Sequence, residues 1–223
     1  MATYAQKNLL AFILAHMAFP QHYEVLSDKN GLISVVTDAG RTEVFAGDAK
    51  QTSARYHKLW DKALTYTNPN VPTDNIIHVL MLGLAGGGAL PSIHTAFPHA
   101  AVSAVEYDPH MIAIAKNLQE QAPFPFPTIY SGDAAVVVPI LTTVFDIILV
   151  DLFIGIEPSP LLLDPVFIQA IKNKLTKNGT VIVNVCLQPN YLTLFKNTFT
   201  HAKTWRYELF HSNTFGAFWD EEQ

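Results

Sequence analysis

Ile76-Ile77-His78-Val79-Leu80-Met81-Leu82-Gly83-Leu84-Ala85-Gly86-Gly87-Gly88-Ala89-Leu90-Pro91 is the stretch that decides how this chain folds. Seven residues, apolar but for His78, run without a break into a cluster of glycines, and Pro91 follows at the point where a helix would begin. Glycine lets the backbone turn sharply and lets a ligand lie against the main chain with no Cβ between them. Proline suits the first turn of a helix, where its missing N–H has no intrahelical partner to lose. The reading is strand, tight turn, helix. Its position at the carboxyl end of a first strand makes the glycine cluster more informative than it would be alone.

The same rhythm continues downstream. Apolar runs at Ala101–Val105, Thr128–Tyr130, Phe145–Val150 and Thr180–Cys186 alternate with helical stretches at about 90–97, 109–120, 134–141 and 164–175. Strands alternating with helices predict parallel βαβ units. Ile147–Val150 and Val181–Val183 are continuously apolar, as burial under helices on both faces requires. Lys177-Asn178-Gly179 is expected to form the turn before the last strand of the series. The tail, 204–210 and then 215–219 about Ser212-Asn213, reads as a closing antiparallel hairpin.

Upstream the pattern is different. From Tyr23 to Phe45 it is short and β-like, with 37–41 as a hairpin loop, and Ser53–Leu64 reads as a helix. Residues 67–75 are rich in Asn and Pro and mark the boundary between domains. The expected organisation is an N-terminal helix over 1–20, a small β-rich domain over 21–70 and a doubly wound α/β domain over 74–223. Leu9–Phe19 is apolar apart from His16, but eleven residues are too few to span a bilayer, and no clear cleavage site follows. A helix packed on the body or on a partner, in a cytoplasmic protein, is the expectation.

Composition narrows the function classes. Charged residues make up 15% of the 223, against roughly 25% in ordinary soluble domains. A large apolar interface, most simply a homodimer, or equally a well-filled α/β core would account for that. The formal net charge of −5 lacks the basic footprint of a nucleic-acid binder. The single cysteine, Cys186, rules out an internal disulfide framework and is expected to be a buried, inert thiol. No metal site is expected: the nine histidines are scattered, and His94 and His99 lack the spacing of a ligand pair with an acidic partner.

Three acids fall at successive strand ends. Glu106 follows the second strand, about 20 residues past the glycines, where dinucleotide folds hold ribose hydroxyls. Asp133 follows the third and can accept an adenine amino group. Asp151 ends the fourth and points at the reacting end of a ligand, where a carboxylate can take a proton or hold a cation. The glycine spacing does not fit the G-x-G-x-x-G fingerprint of a pyrophosphate site, so an adenosyl sulfonium is favoured over NAD.

Leu82–Pro91, Val105-Glu106-Tyr107-Asp108-Pro109, Gly132-Asp133-Ala134 and Asp146–Asp151 together resemble the spermidine synthase-like superfamily, and Gly47-Asp48-Ala49-Lys50-Gln51-Thr52 is similar to that family's Gln-containing segment after its small β-domain. The resemblance covers roughly residues 23 to 190. It implies a small β-hairpin domain beside a Rossmann methyltransferase-like domain, usually in a dimer. It implies that Gln51 and Asp151 approach a sulfonium, Glu106 the ribose and Asp133 the adenine. Gly83, Gly86, Gly88, Tyr107 and Ala134 would complete the nucleoside site.

The sequence departs from the aminopropyltransferase pattern at three points. Ala89 stands where an Asp is usual, Ile154 where a second acid is usual, and Gln51 is only five residues from Tyr56. A dication in a closed site needs carboxylates, and Glu157 is the remaining substitute. The expected function is therefore a transferase using S-adenosylmethionine or its decarboxylated form, moving a methyl group, slightly favoured, or an aminopropyl group to an unidentified small-molecule acceptor. Asp151 is the expected base and Tyr56 the orienting group. The alternative is a catalytically silent, dimeric nucleotide-binding homologue.

Overall fold

The computed structural model describes residues 21–67, 76–120, 122–207 and 213–220. The expected N-terminal helix, most of the Asn/Pro-rich boundary and the tip of the closing hairpin lie outside those residues.

Four antiparallel strands come first: β1 (Gln21–Ser27), β2 (Gly31–Asp38), β3 (Arg41–Ala46) and β4 (Ala49–Thr52), in that spatial order. The β2–β3 loop is tighter than expected. Asp38 pairs with Arg41, leaving only Ala39 and Gly40, both at positive φ (47° and 73°), as a two-residue turn matching strand twist requires. Helix α1 (Ala54–Thr67) then leads to the larger sheet.

That sheet has seven strands, and its elements follow in chain order: β5 (His78–Leu82), α2 (Leu90–Ala96), β6 (Ala101–Glu106), α3 (Pro109–Leu118), β7 (Thr128–Ser131), α4 (Ala134–Ile140), β8 (Phe145–Val150), the two-residue strands β9 (Phe153–Ile154) and β10 (Glu157–Pro158), α5 (Pro165–Lys172), β11 (Leu175–Asn184), α6 (Thr193–Thr198), β12 (His201–Tyr207) and β13 (Asn213–Trp219). The spatial order is β7-β6-β5-β8-β11-β13-β12; β9 and β10 form a separate ribbon. Pairings from β7 to β11 are parallel, and β13 and β12 close the edge antiparallel. The strand order reverses between β5 and β8, which opens a crevice at their carboxyl ends.

Alternate residues of the central strands feed two cores. Val79, Met81, Ile147, Leu149 and Ile182 pack under Trp60 of α1 and Ile93 of α2. Leu80, Leu82, Ile148, Val150 and Val183 pack under Val138 of α4 and Ile168 of α5. Each strand is covered on both faces, which is why its sequence reads as apolar throughout.

One expected turn is instead part of a strand. Lys177-Asn178-Gly179 lies within β11, whose register against β8 shifts between Leu175 and Thr180. Pairing of Leu175 with Phe145 overrides the local turn chemistry, and the chain is accommodated as a bulge. Gly179 is there for close approach: a Cβ would lie 3.0 Å from the Phe145 carbonyl oxygen.

The small sheet is joined to the large one by apolar and polar contacts. Ile33, Val44 and Ala46 pack on Met111 and Ile114 of α3. Ser27 Oγ and Asn30 Nδ2 each donate to Asp108 Oδ2 at 2.6 Å, while Oδ1 caps α3 by accepting from His110 N at 2.8 Å. Burial alone would push the Asp108 carboxyl up. These donors, with the Met111 N–H, hold it below its ordinary range. Among the described residues no helix is long and apolar enough to cross a membrane.

Candidate functional site

Two cavities open at the carboxyl edge of the large sheet. The first, about 490 Å³, is lined by the ends of β5, β6, β7 and β8 and by Asn30 from the turn between β1 and β2. The second, about 590 Å³, lies between β4, α1, the β9–β10 ribbon and the segment after β11. Gln51, Ala85, Asp151 and Phe153 line both, so the two meet at Asp151.

The glycine turn is shaped by its neighbours. Gly83 sits at φ +89°, and a Cβ there would collide with the Asp151 carbonyl oxygen. β5 and β8 can therefore converge at the crevice only with glycine at this position. Gly83→Ala is expected to destabilise the fold by roughly 3 kcal/mol or more, combining left-handed backbone strain with that clash. Urea denaturation would check it; an unchanged midpoint would show that the strand ends can part.

Gly86 and Gly88 do not line the first cavity. A Cβ on Gly86 would meet the Thr52 side chain, and Gly88 lies against Thr52 and Tyr56. Thr52 Oγ1 accepts from Gly86 N at 3.0 Å. These two glycines let the turn dock on β4 and α1 rather than opening onto a phosphate.

Glu106 is 5% exposed and organises that turn. Its Oε2 accepts from Leu84 N at 2.9 Å and Ala85 N at 3.0 Å, and its Oε1 from Asp108 N at 3.0 Å. The carboxylate lines the cavity while tying three backbone donors together. Tyr107 and Ala134 line the same cavity; the Tyr107 hydroxyl donates to Asn30 Oδ1 at 3.1 Å. Burial, with Glu106, Asp108 and Asp133 nearby, pushes the Tyr107 phenol up. Asp133 caps α4 through Oδ1, which accepts from Ala135 N at 2.8 Å.

Asp151 stands at the junction. Asn184 Nδ2 donates to its Oδ1 at 2.8 Å, and Trp60 donates a further hydrogen bond. Asn184 is held in that orientation because its own Oδ1 accepts from Cys186 N at 3.1 Å and Asn213 Nδ2 at 3.0 Å. Burial raises the Asp151 carboxyl from 3.8 to about 6, against the opposing pull of these two donors. A carboxyl with that value is a competent proton acceptor near neutral pH.

Tyr56 lines the second cavity, but its hydroxyl donates to the Lys50 carbonyl at 2.8 Å. Burial, then Asp151 and Cys186, raises that phenol well beyond its ordinary value, so it remains protonated. Gln51 reaches across to the Gly155 carbonyl at 3.4 Å. Cys186, expected as a buried thiol, is half-buried at φ +49° and lines the second cavity, with burial raising its thiol.

Two of the departures, and the substitute acid, find their places. Ala89 is 4% exposed in the apolar core with Leu90 and Ile93 and does not face either cavity. Ile154 is 61% exposed on the rim, and Glu157 lines the second cavity with its carboxylate accepting from Gln188.

Asn30, Trp60 and Asn184 were not singled out from sequence. Asn184 carried a signal: it is a polar residue at the carboxyl end of an apolar strand. Asn30 and Trp60 reach the site only because the small sheet and α1 pack against the large sheet and its helices. Among the described residues no group of His, Cys, Asp or Glu is arranged to hold a metal.

Comparison with known proteins agrees with this geometry. No family model matches the chain. It is 26% identical over 178 residues to an eEF1A lysine and N-terminal methyltransferase of Xenopus laevis, covering 75% of this chain and 26% of that protein. It is 32% identical over 111 residues to a polyamine aminopropyltransferase of Neisseria meningitidis, covering 48% of this chain and 41% of the relative. The chain thus spans well under half the length of these curated relatives. A probable spermidine synthase from Corynebacterium glutamicum shares the fold, with a TM-score of 0.73 at 14% identity over 92% of this chain and 82% of that one. In sequence the chain is thus similar to these methyltransferase and aminopropyltransferase relatives, and it shares the fold of a spermidine synthase, in keeping with the superfamily that its motifs resemble.

Proposed function

We propose that this protein is a transferase that binds S-adenosylmethionine in the first cavity and passes its methyl group to an acceptor in the second. The observation that carries this reading is the single carboxylate, Asp151, shared by both cavities at the point where they meet.

The residues of the first cavity suit an adenosyl ligand. Asp133, Asn30 and Glu106 all line the cavity, and in this reading Asp133 accepts from the adenine amino group while Asn30 and Glu106 face the sugar. A cavity of about 490 Å³ falls in the usual range for ligand sites. When bound, the sulfonium supplies an electrophilic carbon: the acceptor's lone pair forms a bond to it as the carbon–sulfur bond breaks, its electron pair remaining on sulfur as a neutral thioether. Asp151 takes the proton that the acceptor must lose and releases it to solvent. Asn184 keeps Oδ1 occupied and so fixes the plane of the carboxylate. Alignment contributes the rest, because an in-line displacement gains chiefly from holding the reacting atoms in place.

Methyl transfer is favoured over aminopropyl transfer by charge. A decarboxylated donor carries an ammonium without its own carboxylate, and that ammonium and the acceptor's would compete for Asp151. The intact amino-acid end of S-adenosylmethionine brings its own counter-charge.

Calorimetric titration with S-adenosylmethionine, its decarboxylated form and methylthioadenosine tests the reading. Binding is expected for all three, with the intact donor tightest. If none of them binds, the adenosyl reading is wrong; if the decarboxylated donor binds far more tightly, aminopropyl transfer takes its place.

A further inference from the structure

The second cavity separates its chemistry by position. Where it meets the first cavity it presents Asp151 and Asn184. Farther out, its wall is formed by Phe45, Ile156 and Leu187, the last two 70% and 61% exposed. Apolar side chains held out to solvent around a cavity mouth leave area to be covered by whatever enters.

The ionic groups on the outer side offer a second cation only solvent-screened partners. Lys50 lies there with its ammonium 5.3 Å from the Phe45 ring centroid, paired with Glu43 at 2.7 Å. Glu157 already accepts from Gln188, and Asp48 is exposed, where water screens it. A second ammonium would lie near the Lys50 ammonium and the apolar walls, and would find only the exposed, water-screened carboxylates of Asp48 and Glu157. A single amine with an apolar body would meet complementary surface at both ends.

We propose that the acceptor is a monoamine, one primary amine carried on an aryl or alkyl group, with its nitrogen at Asp151 and its apolar body against Phe45, Ile156 and Leu187. This rests on the transferase reading above. In the reaction the ammonium gives one proton to the Asp151 carboxylate. The nitrogen lone pair then forms the new bond to carbon, and the leaving electron pair stays on sulfur.

The experiment is a binding measurement. Protein saturated with S-adenosylhomocysteine is titrated calorimetrically with phenethylamine and, separately, with putrescine. Phenethylamine is expected to bind at least about tenfold more tightly, because desolvating an unpaired second ammonium costs more than one such factor. Leu187→Glu places a carboxylate on the outer wall and is expected to bring putrescine to parity or beyond. Putrescine binding as tightly as phenethylamine in the unaltered protein, binding of neither amine, or a ratio untouched by Leu187→Glu would each overturn the monoamine proposal alone. Failure of the nucleoside itself to bind would bring down the transferase reading as well.

Discussion

Asp151→Asn is expected to lower turnover by about two orders of magnitude or more while nucleoside affinity changes by less than about threefold. The amide keeps the shape of the side chain and can still accept from Asn184, but it cannot take a proton. For the unaltered protein the rate should rise with pH through about 6, since only the carboxylate form is a base and its value is raised to about 6. That limb should vanish in the variant. Rate–pH profiles with calorimetry on both proteins check this. Turnover that survives unchanged would remove Asp151 from the chemistry. Retained nucleoside binding with no turnover in either protein would point to a silent binding homologue instead.

The same residue yields a stability prediction of opposite sense. The native state holds the Asp151 proton up to about 6, whereas an unfolded aspartate loses it near 3.8. Between those values the folded chain binds more protons than the unfolded one, so this group's contribution to stability falls as pH rises across that window and stays low above it. Asp151→Asn should therefore be as stable as the unaltered protein at pH 8, or more so. A carboxylate kept at a cost to stability fits a functional role.

Glu106→Ala is expected to be the more damaging substitution for the fold. It leaves the N–H groups of Leu84, Ala85 and Asp108 without their acceptor. At roughly 1–3 kcal/mol for each buried donor left unpaired, the loss should be about 3 kcal/mol or more. The glycine turn would lose its anchor, and nucleoside affinity should fall by about a hundredfold or more. Glu106→Gln, which offers one acceptor oxygen in place of two, should fall between. Denaturant midpoints and calorimetry on the three proteins would order them; equal midpoints would mean that water replaces the carboxylate.

Glu106 also shows how far the sequence could be read. Its distance from the glycines marked it as a ligand residue, and it does line the cavity. That its oxygens are tied to three backbone donors could not be read from spacing. Gly86 and Gly88 are similar: their presence predicted a turn, but the surface they approach belongs to Thr52 and Tyr56.

The sequence by itself determined the parallel sheet, its order of strands and helices, and the strand ends at which Glu106, Asp133 and Asp151 would stand. Those properties follow from the polarity pattern and local turn chemistry along the chain, which burial on one or both faces imposes residue by residue. The tertiary structure alone decided that Lys177-Asn178-Gly179 would extend a strand, because pairing with Phe145 outweighs a local turn preference. It also brought Asn30, Trp60 and Asn184 to the site, from three segments distant in the chain. Above all it decided that Asp151 would be desolvated at the meeting point of two cavities, for burial and hydrogen bonding depend on what folds over a residue and not on its neighbours in sequence.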